Sequence, residues 1–132
     1  MELADTSAWT CNRGRATSEF NQLVVDGHIA TCDPVEYELL WTTRSPAEFD
    51  ALRARLSALR FAPTEPEDWR RGADVWAELA RQGRHRQVPQ FDLLIAAVAE
   101  REGVPVLHYD RHFELKLNDD EKKDLIQFLL GL

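Results

Sequence analysis

The chain has 132 residues, of which 44% are hydrophobic and 30% charged, enough for one domain with a buried core but not for two. Its formal net charge of −7 argues against a protein that coats nucleic acid through charge alone. Apolar stretches fall far below the ~20 residues that span a bilayer, and the pattern of a signal peptide is missing, so we expect a cytoplasmic protein. Cys11 and Cys32 fit no metal-binding spacing and are expected to be reduced thiols.

Short strands and helices alternate from the start of the chain. Residues 2–5 predict a first strand, and Thr6 or Ser7 is suited to cap a helix after it. A loop and helix through residues 19–25 end at a turn, and residues 28–32 predict a second strand. Asp33, Pro34 and Glu36 then have the spacing of a helix cap, which occupies Glu36 and leaves Glu38 on a different face of the helix.

The second half continues the alternation. Ser45 is expected to cap a helix that runs to about residue 59, and residues 59–61 suggest a third strand. A helix from residue 64 to about 83 is followed by a basic loop, and the apolar helix opened by Asp92 ends at Gly103. A strand is predicted over residues 104–109. This order of elements predicts an α/β fold with a mostly parallel sheet.

Four acids lie where short apolar segments end or turn: Asp5, Glu38, Asp92 and Asp110. If the strands are parallel, Asp5 and Asp110 emerge at the carboxyl edge of the sheet, where such folds bind ligands. Gathered carboxylates repel by roughly 1 to 4 kcal/mol per pair at about 4 Å, and Mg²⁺ or Mn²⁺ removes that conflict. Asp5, Asp92 and Asp110 each have an ordinary alternative role as a cap, a turn residue or an ion-pair partner. Glu38 is harder to explain in that way, because an acid on an otherwise apolar helix is costly unless it reaches water or a cation. Together they predict a metal-dependent site that cuts phosphodiester bonds.

Basic and aromatic residues offer candidate contacts for a nucleic acid. Nine arginines lie between Arg44 and Arg86, and Arg81, Arg84 and Arg86 form the best candidate group for phosphate binding. Solvated helix faces are the alternative interpretation of these arginines. The four tryptophans could stack on bases, although the seven-residue spacing of Trp69 and Trp76 favours packing against a partner.

Four motifs in order resemble the PIN-domain ribonucleases of the VapC toxin type. They are Leu3-Ala4-Asp5-Thr6-Ser7-Ala8-Trp9, Tyr37-Glu38-Leu39-Leu40, Phe91-Asp92-Leu93-Leu94-Ile95-Ala96-Ala97 and His108-Tyr109-Asp110-Arg111-His112-Phe113-Glu114. The resemblance covers residues 1–114 and implies a three-layer α/β/α domain with the four acids around one or two Mg²⁺ or Mn²⁺ ions. It also implies hydrolysis of RNA by a metal-activated water, a homodimer and inhibition by a cognate antitoxin.

The same resemblance suggests further roles and leaves some points open. Thr6 or Ser7 would orient a metal-bound water, and Arg111 is a further candidate for contact with RNA. Many relatives have an acid at the position of His112, and Glu114 is not its equivalent, so the number of metal ions is open. A PIN module that binds RNA or antitoxin without cutting is therefore the alternative function.

Residues 115–132 differ in composition from the rest of the chain. They contain all three lysines, at Lys116, Lys122 and Lys123, and neither arginine nor alanine. A strong helix start at residues 118–121 precedes an apolar face, which predicts a terminal helix docked on the same domain. This ending does not resemble the usual ending of the family.

Overall fold

The computed structural model describes residues 1–10 and 15–107. In chain order, the elements are β1 (Glu2–Ala4), α1 (Thr6–Thr10), α2 (Arg15–Val25), β2 (Ile29–Cys32), α3 (Asp33–Trp41), α4 (Pro46–Ser57), β3 (Arg60–Ala62), α5 (Pro66–Arg81), α6 (Gln90–Glu102) and β4 (Val106–Leu107). The predicted alternation of strands and helices is confirmed. The predicted tail over residues 115–132 lies outside the described residues and stays a prediction.

Four parallel strands form one sheet in the order β3-β2-β1-β4. Leu3 of β1 pairs with Ala30 of β2 on one side and with Val106 of β4 on the other. Successive residues of β1 pack into different clusters: Leu3 into the main core with α3, α4 and α6, and Ala4 against Phe20 of α2. Because side chains alternate along a strand, helices cover both faces of the sheet, as in a three-layer α/β/α domain.

Local signals explain several of the helix ends. Ser45 caps α4 as expected, since its hydroxyl oxygen accepts a hydrogen bond from the Glu48 amide at 3.1 Å. Gly103 ends α6 in the left-handed conformation, at φ 69°, which glycine adopts without strain. No helix in the described part of the chain is long and apolar enough to cross a membrane.

The predicted cap of α3 is wrong. Cys32, still extended at the end of β2, is the residue before the helix, and Asp33 is its first residue. The Asp33 carboxylate instead accepts a hydrogen bond at 2.9 Å from the amide of Thr64, in the connection between β3 and α5. Asp33 therefore bonds to a residue distant in the sequence instead of capping its own helix. This bond joins the β2–α3 and β3–α5 connections at the carboxyl edge of the sheet.

An ion pair between a buried aspartate and a partly exposed arginine joins the start of α5 to the end of α6. Asp68 is only 2% exposed, and its carboxylate accepts from Arg101 Nε at 3.1 Å and from the Glu65 amide at 2.8 Å. Arg101 also donates to the carbonyl of Pro63 at 2.6 Å. A second pair between the same helices, Arg71 with Glu100 at 3.1 Å, is more exposed.

We expect Arg101→Ala to lower the free energy of unfolding by about 3 kcal/mol, because it leaves the buried Asp68 charge without its partner. Arg71→Ala is the matched control, since it removes an exposed pair between the same two helices and should cost about 1 kcal/mol or less. Urea unfolding of the three proteins measures both losses. Equal losses would show that burial of Asp68 does not govern the strength of this contact.

Cys32 is a free cysteine that is fully buried. Burial raises the pKa of its thiol to about 12. Thiolate is the reactive form, so we expect Cys32 to resist labelling in the native protein. In a Cys11→Ser variant, a chromogenic disulfide reagent should react only after denaturant is added. Fast reaction in native buffer would contradict the described burial.

Candidate active site

Asp5 directly follows β1 and lies at the carboxyl edge of the sheet. Its amide donates to the carbonyl of Leu107 on β4 at 3.1 Å, which fixes the backbone at this point. Its side chain is 5% exposed, and Oδ1 accepts hydrogen bonds from the Ser7 hydroxyl at 2.6 Å and the Ala8 amide at 3.1 Å. The first turn of α1 therefore holds a nearly buried carboxylate in one orientation.

Glu38 reaches the same place from α3. The hydroxyl of Thr6 donates to Glu38 Oε1 at 3.0 Å, which links the residue after Asp5 to the second acid. Burial raises the pKa of the Glu38 carboxyl, the hydrogen bond from Thr6 opposes that rise, and the negative charge of Asp5 adds to it. The structure thus brings two of the four predicted acids close enough to repel each other.

Asp92 lies in the first turn of α6. Because α6 leads through Gly103 into β4, which is parallel to β1, the helix starts at the carboxyl edge of the sheet. Asp92 and Asp5 are therefore on the same edge. A carboxylate in a first helical turn is also stabilised by the helix dipole, by about 0.3–1 kcal/mol, which is the alternative reason for an acid there.

The remaining predicted residues of the site, Asp110, Arg111, His112 and Glu114, lie outside the described residues and stay predictions. Within the part that the structure describes, no three His, Cys, Asp or Glu side chains are grouped closely enough to hold a metal ion. The pair Asp5 and Glu38 nevertheless fits a hard divalent cation. Both offer only oxygen, and the charge of one raises the pKa of the other, a conflict that a cation would remove.

Thr6 and Ser7 contact the acids themselves. Each hydroxyl donates to a different carboxylate, Thr6 to Glu38 and Ser7 to Asp5. Hydrogen bonds of this kind orient metal ligands and keep them ionised. These two hydrogen bonds are therefore with the carboxylates of Asp5 and Glu38, whereas the expectation from the resemblance concerned a bound water.

Three of the four candidate RNA contacts, Arg81, Arg84 and Arg86, lie in and beside the basic loop, residues 82–89, which precedes α6. Arg81 pairs with Glu78 on α5, and Arg84 Nε donates to Gln87 at 3.4 Å. Trp76 Nε1 donates to the carbonyl of His85 at 2.8 Å, so this tryptophan anchors the basic loop. Arg86 is exposed. The loop leads directly to the first turn of α6, and contact with phosphate remains a prediction for these arginines.

Two polar residues at this edge were not predicted from the sequence to be part of a functional site. Asp33 and Thr64 follow β2 and β3, and both line a cavity of about 240 Å³. The signal was present for Asp33, because an acid directly after a strand is the same pattern that singled out Asp5. Its spacing to Pro34 and Glu36 led to assignment as a helix cap.

Comparison with known proteins identifies relatives over most of the chain. The PIN domain family matches residues 3–116. Ribonuclease VapC18 of Mycobacterium tuberculosis is 35% identical over 83% of this chain and 82% of its own, and Ribonuclease VapC21 is 33% identical over 85% and 82%. The crystal structure of Mycobacterium tuberculosis VapC20, described as a sarcin-ricin loop cleaving toxin, has a TM-score of 0.58 at 16% identity. It covers 87% of this chain and 94% of that one, and it supports the fold.

The raised pKa of Glu38 predicts a pH dependence of stability in EDTA. A carboxyl whose pKa is higher in the folded than in the unfolded protein binds its proton more tightly when folded. Stability is therefore lost as pH rises from the ordinary glutamate value of 4.5 through the raised pKa. Glu38→Gln cannot ionise and should not show this loss.

We expect the melting temperature of Glu38→Gln, relative to the unsubstituted protein, to be higher at pH 7.5 than at pH 4.5. Differential scanning fluorimetry of both proteins at the two pH values measures this. A difference that does not change with pH would contradict the assigned shift. Added Mg²⁺ at pH 7.5 should stabilise the unsubstituted protein more than the variant, because the variant lacks one carboxylate.

Proposed function

This chain belongs to the PIN-domain family, among the VapC-type ribonucleases, and we propose that it is a Mg²⁺- or Mn²⁺-dependent endoribonuclease inhibited by a cognate antitoxin. One observation supports this activity most directly. A hydrogen bond from Thr6 places Glu38 beside the nearly buried Asp5, at the carboxyl edge of a parallel sheet. Two carboxylates that repel each other at such an edge form an incomplete site for a hard cation.

In this proposal, Asp5, Glu38, Asp92 and Asp110 hold the metal. When bound, the ion would neutralise charge on the phosphate and lower the pKa of a water molecule for in-line attack. Residues of α1 would orient two of these acids. Ser7 and the amide of Ala8 hold Asp5 in place, and Thr6 holds Glu38 and favours its ionised form. This scheme needs no nucleophilic side chain.

Single-stranded or loop RNA is the proposed substrate. A chain with a net charge of −7 draws little affinity from general attraction to a polyanion, so shape and local contacts must select the RNA. The basic loop, with Arg84 and Arg86, and Arg81 at the end of α5 are the proposed phosphate contacts, and Arg111 is a fourth. The Trp76 hydrogen bond to His85 keeps that loop beside the start of α6.

We also propose a homodimer that binds an antitoxin and acts in the cytoplasm. Residues 1–114 would form the nuclease domain, and residues 115–132 a helix docked on it. Large apolar side chains left at the surface support the existence of protein partners, and Trp41 is the clearest, at 88% exposed.

The alternative function is a PIN module that binds RNA or antitoxin without cutting. Two features favour it, namely His112 in place of the acid expected from the family resemblance and the atypical composition of residues 115–132. Two measurements distinguish the functions. A binding module keeps its RNA affinity when Asp5 is neutralised, and it does not cleave RNA with any metal.

We expect Asp5→Asn and Asp92→Asn each to reduce RNA cleavage in Mg²⁺ or Mn²⁺ by at least about 100-fold, because each removes a proposed metal ligand. Gel analysis of RNA incubated with purified protein, with and without EDTA, measures the loss. Asp74→Asn is the control, because this acid is exposed in the middle of α5.

Unchanged cleavage in both Asp5→Asn and Asp92→Asn would refute the metal site. Absence of cleavage by the unsubstituted protein with every metal, together with retained RNA binding, would favour the binding module.

A further inference from the structure

A second feature of the carboxyl edge lies beside the acids. A cavity of about 240 Å³, here called the aromatic slot, has walls that include Tyr37, Trp69, Phe91 and Leu94, with Asp33 and Thr64 as its polar part. Asp33 directly follows β2, and Thr64 lies two residues after β3. The slot therefore opens on the edge of the sheet where parallel α/β folds bind their ligands.

The slot and the acids share two helices. Tyr37 is the neighbour of Glu38 on α3, and Phe91 is the neighbour of Asp92 on α6. Neighbouring Cα atoms are about 3.8 Å apart. The sheet places β2 beside β1, which leads to Asp5, and neighbouring strands are about 4.8 Å apart. A ligand whose phosphate lies at the acids thus has its adjoining groups within reach of the slot.

The side chains of the slot suit a ligand that has a flat ring with polar groups along its edge. Trp69 is 59% exposed and Tyr37 69%, so two aromatic surfaces remain open to a ligand. Asp33 Oδ2 accepts from the Thr64 amide, and its other oxygen is a further acceptor. The hydroxyl of Thr64 is buried and has no hydrogen-bond partner among the described residues. The volume is below the ~300 Å³ at which pockets for drug-sized ligands begin, which suits a single ring system.

We propose that the aromatic slot binds one unstacked base of the RNA, next to the phosphate that is cut. The base stacks on Trp69, and its edge faces Asp33 and Thr64. An acceptor carboxylate favours bases with an exocyclic amino group, adenine, cytosine or guanine, over uracil. The identity of the ligand as RNA rests on the proposed function. Trp69 and Asp33 are specificity-determining residues in this account.

A base fits these observations better than a protein partner does. A protein side chain or backbone would bury the carboxylate of Asp33 and would need a donor at that one position. A base presents donors on the edge of a planar ring that stacks at the same time, which is how single-stranded RNA is commonly bound. Tyr37 and Phe91 of the slot are chain neighbours of Glu38 and Asp92, so one RNA strand can place a phosphate at the acids and a base in the slot.

The test measures binding of fluorescently labelled RNA hexamers of A, C or U to the full chain, in EDTA and in Ca²⁺. We expect A and C to bind roughly tenfold more tightly than U. Trp69→Ala should weaken binding roughly tenfold or more, and Trp69→Phe should restore most of it. Asp33→Asn keeps an oxygen for the Thr64 amide but adds a donor, so it should reduce the preference over U.

Phe61→Ala is the matched control, since Phe61 is an aromatic residue that is 49% exposed and does not line the slot. Equal affinities for the control, Trp69→Ala and the unsubstituted protein would overturn the proposal, as would failure of the unsubstituted protein to bind any hexamer. Loss of a dimer in Trp69→Ala, measured by light scattering, with unchanged RNA affinity would also overturn it and assign the slot to a protein interface.

Sequencing of RNA cut in Mg²⁺ separates this proposal from the proposed function. Cleavage with the same base preference in Trp69→Ala would overturn the slot and leave the nuclease intact. RNA binding that depends on Trp69, without cleavage by the unsubstituted protein, would support the slot and refute the nuclease.

Discussion

Repulsion between two carboxylates at one edge of the sheet is the constraint that organises this molecule. Parallel strands bring the residues that follow them to a common edge, and here Asp5 and Glu38 meet there through Thr6. The arrangement opposes folding, since burial and the charge of Asp5 both raise the pKa of Glu38. A carboxyl group with a raised pKa, held in place by neighbouring donors beside a second acid, is typical of a functional site.

The rest of the fold keeps that edge in place. The main core joins β1 and β2 to α3 and α6, the two helices that bear Glu38 and Asp92. Arg101 and Asp68 join the far end of α6 to the start of α5, and Trp76 of α5 holds the basic loop. Among the described residues, apolar packing and the ion pair of the buried Asp68 stabilise the fold away from the acids, while the acids themselves contribute repulsion.

Local chemistry made much of this predictable from the sequence. The helix cap at Ser45, the helix end at Gly103 and the alternating apolar segments each depend on residues only a few positions apart in the sequence. The order of the predicted strands and helices then indicated a parallel sheet. Asp33 was misassigned because its true partner, Thr64, is 31 residues away. The carboxylate of Asp33 could either cap its own helix or accept a hydrogen bond from a distant residue. The spacing of residues in the sequence does not distinguish these two roles.

The aromatic slot was unpredictable for the same reason. Its walls come from α3, α5, α6 and the connection after β3, and these segments meet only in the folded chain. Tyr37 and Phe91 were noted only as parts of the acidic motifs. Trp69 was considered as one of four tryptophans that could stack on bases, but its spacing to Trp76 favoured packing against a partner. The motifs did single out Asp5, which directly follows β1, and Glu38, which reaches the same place from α3.

Anomalous diffraction from crystals grown with Mn²⁺ tests most directly whether the acids bind a divalent cation. We expect an anomalous peak in contact with carboxylate oxygens of Asp5 and of at least one of Glu38, Asp92 and Asp110, and this peak should weaken or disappear in Asp5→Asn. A peak elsewhere on the chain, or no peak at the carboxyl edge in crystals saturated with Mn²⁺, would contradict this expectation.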